Sequence, residues 1–271
     1  MRRPSRALLA GGILTAVLVL AVLLGRFLVP FSPTELGVGD RLDGPSLAHF
    51  MGTDHMGRDV LARVLGGAGV TLSVALGTVF IGATAGLVIG AVTGYVGGWF
   101  DEIVMRLSDG LTAFPSVLLA LVIMSFAESG PGNLILILGL LFIPSFARVA
   151  RGEFLRCRNL DYVKRARLMG ASRLRVLFIH ILPGTLPVYL SAVVIGFNNA
   201  VLAEASMSFL GLGIQQPQVS LGRMLAESQS YLSSAPWIAL FTGGAIVLVV
   251  FTFSLLAQAL GEKRRGGHAP R

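Results

Sequence analysis

The sequence predicts an all-α membrane protein: six transmembrane helices with one long basic loop on the cytoplasmic side. Three observations lead there. Of 271 residues, 54% are hydrophobic and 13% charged, with a mean hydropathy of +0.77. That balance belongs to polytopic membrane proteins rather than soluble domains. Apolar runs too long for strands recur along the chain. Nine of the 22 Lys and Arg residues fall together between Arg148 and Arg175. So basic a stretch cannot sit in hydrocarbon and belongs in water or among headgroups on one side of a bilayer.

Arg2, Arg3 and Arg6 precede an uncharged run over residues 7–25. A cleaved signal peptide would have a shorter apolar region closed by an A-x-A pattern, so this run reads as a retained first span with its N-terminus inside. Residues 29–63 form a polar external segment rich in Pro and Asp. Residues 66–100 carry no charge and supply the second span. Within it Gly82, Gly86, Gly90, Gly94 and Gly98 recur every fourth residue. Such a ridge lets a neighbouring helix approach closely, and tight static packing is preferred over a moving interface.

The third span covers 110–127, with a kink expected at Phe114-Pro115. An outside turn around Gly130-Pro131-Gly132 leads to the fourth span, 134–147, and the basic loop follows. Residues 181–211 give the fifth span, 212–236 a polar excursion and 237–260 the sixth. The chain divides accordingly. Residues 1–65 hold the cytoplasmic tail, first helix and external segment; 66–262 form a five-helix core containing loop 148–183; 263–271 are a cytoplasmic tail. With both termini inside, 17 Lys and Arg residues lie inside and five outside (Arg26, Arg41, Arg58, Arg63 and Arg223). This asymmetry makes the loop cytoplasmic.

The loop reads RVARGEFLRCRNLDYVKRARLMGASRLRVLFIHILP. Asn159 and Asp161 can cap a short helix in which Tyr162, Val163, Ala166 and Met169 recur at helical spacing. Gly170 stands where a left-handed residue is wanted, and Ser172 can cap a second helix running to Pro183. Two short helices meeting at a glycine form a docking surface for a soluble partner.

Several chemistries are absent from the sequence. There is no G-x-x-x-x-G-K-[ST] loop to cradle phosphate, and no H-E-x-x-H or G-x-S-x-G. The net charge of +8 flanks apolar spans, which favours a topological reading over nucleic acid. The single Cys157 excludes an internal disulfide and reads as an incidental thiol. Gly37-Val38-Gly39-Asp40 matches the short G-x-G-D pattern of intramembrane aspartyl proteases, but lies in a polar segment without a second intramembrane Asp. His49 and His55 flank Asp54 without helical pairing, so an ordinary polar loop is preferred to a metal site. Inside the fifth span, Asn198, Asn199 and Glu204 are polar. A carboxylate there must face a bundle interior or a wet cavity. Two readings stand together: these residues line a translocation path, or Glu204 snorkels to the outer interface or pairs with a neighbouring chain.

The basic loop resembles the E-A-A-x3-G-x9-I-x-L-P loop of ABC importer permeases. Ala166, Gly170, Leu182 and Pro183 keep the pattern at the right spacing, while Lys164, Arg165 and His180 depart from it. Met51-Gly52-Thr53-Asp54-His55-Met56-Gly57-Arg58-Asp59-Val60 resembles the G-T-D-x-x-G-R-D-V signature of the second, C-type permeases of the dipeptide/oligopeptide/nickel family. Residues 203–213 match that subfamily's A-E-A-S-x-S-F-L-G-L-G, and Pro236-Trp237 with Leu240-Phe241 match the start of its last span. Leu221 and Thr242 stand where a tryptophan and a proline are usual.

The resemblance implies a type I ABC importer permease fold in a prokaryotic inner membrane and no enzyme activity in this chain. It implies a second permease subunit, forming a heterodimer, and two cytoplasmic ATPases that carry ATP and Mg²⁺. An external binding protein would deliver di- or oligopeptides, nickel or a related solute. This chain would bind no cofactor or metal, and its non-protein partner is membrane lipid, not nucleic acid. The ATPase-coupling loop would use Asp161, Tyr162, Lys164, Arg165, Ala166, Gly170, Ala171, Ser172, Leu182 and Pro183. Residues 46–63 are expected to shape the outer mouth, with Ser46 and Thr53 both accessible. A self-sufficient secondary transporter should show paired broken helices in two matching halves, and no such repeat is present.

Overall fold

The computed structural model describes residues 6–265 as helices and connecting loops, with no strand among the described residues. The six expected spans correspond to helix α1 (Arg6–Leu28), α2 (Val60–Val96), the pair α3 (Gly98–Thr112) and α4 (Ser116–Ser125), α5 (Pro131–Arg158), α8 (Leu182–Phe209) and α10 (Pro236–Arg265). Among the described residues, four continuous helices are long and apolar enough to cross a bilayer, and the α3–α4 pair makes a fifth if counted together. In α1 the apolar stretch covers Gly11–Gly25.

Helices overrun the expected spans where charge marks the bilayer exit but does not stop a helix. Asp59 caps α2 by accepting from the Ala62 N–H at 2.7 Å, so α2 begins six residues before the apolar run expected from position 66. Its 37 residues span about 55 Å, well beyond the ~30 Å hydrocarbon core. Helix α5 likewise continues to Arg158, which places the first basic residues of the loop on a regular helix.

The third span departs most from expectation. Pro115 has no N–H to give and restricts Phe114 before it, so the helix stops at Thr112 and restarts at Ser116. The two pieces meet at 78°. Helix α3 carries Asp101, Glu102, Arg106 and Asp109, and Asp101 accepts from Arg151 on α5 at 2.5 Å. It therefore lies along the charged end of the bundle, not inside a straight span.

The glycine ridge packs α2 against α5 within the same chain. A methyl at Gly82 would lie 2.9 Å from the Phe142 Cβ, and one at Gly86 2.5 Å from the Phe146 Cβ. One at Gly90 would strike the Ala147 carbonyl, and one at Gly94 would lie 2.8 Å from the Arg151 carbonyl. Backbones so close have room only for glycine. Gly98 does not join them: α2 ends at Val96, Gly98 has φ +69°, and nothing lies within 4 Å of where its Cβ would be. The central core then forms where α2, α5, α8 and α10 meet, around Val79, Phe146, Tyr189, Phe197 and Val249.

Candidate functional site

Three regions position polar chemistry on this frame. At the basic end, α6 (Asp161–Leu168) buries Val163 among Phe154, Cys157, Val176 and Ile181. It ends in a complete Schellman motif: the Gly170 N–H bonds the Arg167 carbonyl and the Ala171 N–H bonds the Ala166 carbonyl, at 3.0 and 3.1 Å. Gly170 is left-handed, with φ +81°. Ser172 accepts from the Arg175 N–H at 3.4 Å and starts α7 (Arg173–Arg175).

Two details differ from the sequence reading. Leu160, not Asn159 or Asp161, occupies the N-cap of α6, and Asn159 instead donates to the Leu155 carbonyl. The second helix does not stop at Pro183. It runs from Arg173 to Phe209 as one element, through a π turn over Val176–Ile181. Pro183 removes an N–H and crowds the preceding turn; the wider ladder just before it, in which Leu182 N–H bonds the Leu177 carbonyl, absorbs that strain. The loop is therefore one short helix folded back on the end of a long one.

Tyr162 donates to the His180 carbonyl at 3.0 Å and joins the two arms. Lys164, Arg165 and Ser172 are exposed, Ala166 and Ala171 half-buried, and Leu182 and Pro183 open α8. Leu168 and Met169 are each 88% exposed and Leu174 68%, an uncovered apolar patch among arginines. Cys157 is buried in the same cluster, with the Thr185 hydroxyl 3.9 Å from its sulfur.

The three polar residues of the fifth span separate. Asn199 is exposed in a groove of about 480 Å³ between α4, α5 and α8, where Ser116, Ser145 and Ser206 add small polar groups to apolar walls. Asn198 faces α10 and donates to Ser254 at 2.8 Å. Glu204 is fully buried, accepts from Ser208 at 2.6 Å, and has the Thr71 and Ser220 hydroxyls as neighbours. Ser220 caps α9 (Leu221–Ser228), which lies so close to α8 that a methyl at Gly222 would strike the Ala205 carbonyl. Glu204 thus sits where α2, α8 and α9 join, away from the groove that Asn199 lines.

At the opposite end, residues 29–59 fold into an ionic clasp that sequence reading did not assemble. Asp54 accepts from Arg58 Nε at 2.6 Å, from Arg63, and from the backbone N–H groups of Met56 and Arg58. Glu227 on α9 accepts from Arg63 at 2.8 Å, from Gln216 at 3.0 Å and from Arg223 at 3.3 Å. The i,i+4 pairs Asp54–Arg58 and Arg223–Glu227 were visible in sequence, but Arg63–Glu227 joins residues far apart along the chain. His49 pairs with Asp59 at 2.8 Å while His55 stacks on Tyr231, so the two imidazoles are engaged separately. Among the described residues no cluster suited to a metal occurs. Thr53, expected to be accessible, is buried beneath Trp237, whereas Ser46 is exposed. Gly37, Val38 and Gly39 form a turn on the Met56 and Gly57 carbonyls.

A helical bundle with an ionic clasp at one end, a mainly apolar groove dotted with small polar groups along its spans and a basic loop at the other end has the make-up of a membrane transport subunit. The family described as binding-protein-dependent transport system inner membrane component matches residues 86–266. Glutathione transport system permease proteins GsiD from Pectobacterium atrosepticum and Salmonella paratyphi A are 38% and 41% identical to the chain. The alignments cover 93% and 96% of this chain and 84% and 86% of theirs. A chain of the MetNI methionine ABC transporter, in inward-facing conformations, superposes with a TM-score of 0.61 at 20% identity, over 75% of this chain and 95% of that one. At that identity the likeness speaks for the fold.

The chain belongs to the binding-protein-dependent transport system inner membrane components, as a permease subunit of the ABC importer class. It is a multi-pass inner-membrane protein and not itself an enzyme; ATP hydrolysis is carried by separate subunits, and a substrate-binding protein completes the system.

Proposed function

We propose that the chain forms one half of the translocation path of an importer for small peptides, including glutathione-like ones, and that loop 148–183 couples it to an ATPase. Its identity with glutathione permeases along nearly the whole chain carries the substrate class. The groove around Asn199 suits such a solute: it offers small hydroxyls and an amide without fixed charge. A second, non-identical permease would close that groove from the other side. ATP and Mg²⁺ sit on the ATPases and none on this chain, and both termini face the cytoplasm with the loop.

The coupling reading rests on the loop's geometry. A Schellman-terminated helix with uncovered Leu168, Met169 and Leu174 is an apolar knob anchored through Val163 to two long helices. A push on the knob is delivered to α5 and α8, the walls of the groove.

Gly170 tests it. A β-branched residue resists φ +81°, so Gly170→Val costs about 1–2 kcal/mol locally, too little to unfold the bundle but enough to misaim α6. Expected are normal membrane levels, poor ATPase retention in a pull-down and little peptide uptake, partly rescued by Gly170→Asn. Wild-type uptake and retention in Gly170→Val would show that the loop is not the coupling element. Uptake of nickel with none of glutathione or dipeptides would replace the substrate class.

A further inference from the structure

Beside the proposed coupling knob lies a cavity whose arginines the transport reading does not use. It has a volume of about 500 Å³ and is walled by Tyr95 and Val96 at the end of α2, Arg158 at the end of α5, Arg167 on α6, and Ala171, Arg173 and Val176 of the second arm. Four elements therefore converge on one space with three guanidinium groups around it. No carboxylate lines it, and among the described residues none of the three arginines pairs with an acid. Upstream in the loop Arg148 pairs with Asp109, Arg151 with Asp101 and Arg156 with Glu153, whereas the exposed Arg165 and Arg175 pair with no acid among the described residues but do not line the cavity.

Two of the three are held in place. Arg158 donates through Nη1 to the Tyr95 carbonyl at 3.0 Å, which neutralises the open end of α2 and leaves its remaining N–H groups free to bond a ligand. Arg167 lies over the Tyr95 ring, its Cζ 5.3 Å from the centroid. Arg173 is exposed at the rim. Like charges brought together without a counter-charge are unfavourable, so such a site is complete only with an anion in it. Guanidinium forks match the oxygens of a phosphate group.

The setting selects the source of that phosphate. Val96 lines the cavity and is 61% exposed, and Trp99, one turn of chain further, is 75% exposed. Apolar and tryptophan side chains at the end of a long apolar helix mark the level of the headgroups. A lipid whose phosphate enters the cavity would lay its acyl chains along Val96 and Val92, both exposed. We propose that this three-arginine cavity binds the phosphate of an anionic phospholipid headgroup. Bound there, the lipid would bridge α2, α5, α6 and the second arm and stiffen the base of the loop.

The full chain, purified in mild detergent, is examined by native mass spectrometry with cardiolipin, phosphatidylglycerol or phosphatidylcholine as added probe. Wild type should retain the anionic lipids in preference to phosphatidylcholine. The triple variant R158Q/R167Q/R173Q should lose that preference by about tenfold or more. R158K/R167K/R173K should keep most of it, and R175Q, outside the cavity, all of it. If the triple Gln variant fails to insert, Arg173→Gln alone reads the same loss on a smaller scale. Equal lipid retention by wild type and the Gln variants would overturn the proposal. Displacement of the lipid by millimolar inorganic phosphate would reassign the site to a soluble phosphate. Loss of the ATPase from the variants with lipid retention unchanged would make the cavity part of a protein interface instead.

Discussion

Asp54 ties the clasp together, accepting from Arg58, Arg63 and the Met56 and Arg58 N–H groups. Burial alone would push its carboxyl up, but the Arg63 guanidinium, the Arg58 and Met56 N–H groups and the Arg58 charge outweigh it and hold the group below the usual carboxylate range. Glu227 is held low in the same way, burial opposing and Arg63 prevailing. A depressed carboxyl contributes stability that is fully present above the unfolded value, about 3.9 for Asp, and lost as pH falls through the folded value. The melting temperature of the purified chain should therefore hold between pH 8 and 5 and fall below about pH 4. Asp54→Asn should flatten that acid limb and, at neutral pH, cost about 3 kcal/mol, because it leaves Glu227 as the one carboxylate facing both buried guanidinium groups, Arg63 and Arg58. An Asn variant that melts like wild type at pH 7 would show the clasp to be idle. At this scale the sequence was half legible. The charges of the clasp and the cost of Glu204 in a span could be read, but not their partners, because Arg63 meets Glu227 and Glu204 meets Thr71 only once α2, α8 and α9 have packed.

Among the elements, α2 and α5 form the widest intramolecular contact, and its spacing is set by glycines. At Gly90 an added methyl would meet the Ala147 carbonyl and lie 2.6 Å from the Ala150 Cβ and 2.8 Å from the Arg151 N. Neither helix can yield locally, so Gly90→Ala should force the pair apart and cost about 1–3 kcal/mol, read as a lower melting temperature. Gly152→Ala on α5, with nothing within 4 Å, should be neutral or slightly stabilising. Equal effects of the two would mean that the ridge does not set the helix distance. The period of four was readable because it is a property of one helix face, while its end was not. Gly98 continues the sequence repeat but lies past the break at Gly97, where the chain turns into α3. The apolar run lengths located the spans because the bilayer sets them; the helix limits escaped because α2 and α5 continue into water. Proline was legible as a disturbance and not as an angle. Pro115 gives a 78° bend, whereas Pro183 is absorbed by a π turn in an unbroken helix.

For the whole molecule, one orientation follows from the balance of charge. The basic loop, both termini and Arg106 carry 17 of the 22 Lys and Arg residues, so the loop and termini are expected on the cytoplasmic side and the ionic clasp outside. The structure sharpens the test, because accessibility within the outer segment is uneven. Ser46 is exposed, but Thr53 is buried beneath Trp237 and beside Asp43, where a reagent cannot reach it. The native Cys157 is buried as well, so wild type supplies a low background. In intact spheroplasts, Ser46→Cys should react with a membrane-impermeant maleimide and Thr53→Cys should not, either before or after lysis, until the protein is denatured. Met169→Cys, on the knob of the loop and 88% exposed in wild type, should react only after lysis. The three sites together separate orientation from burial, which one site alone confounds. Labelling of Met169→Cys in intact spheroplasts with Ser46→Cys protected would invert the topology, and would place both the proposed coupling loop and the three-arginine cavity on the outer face.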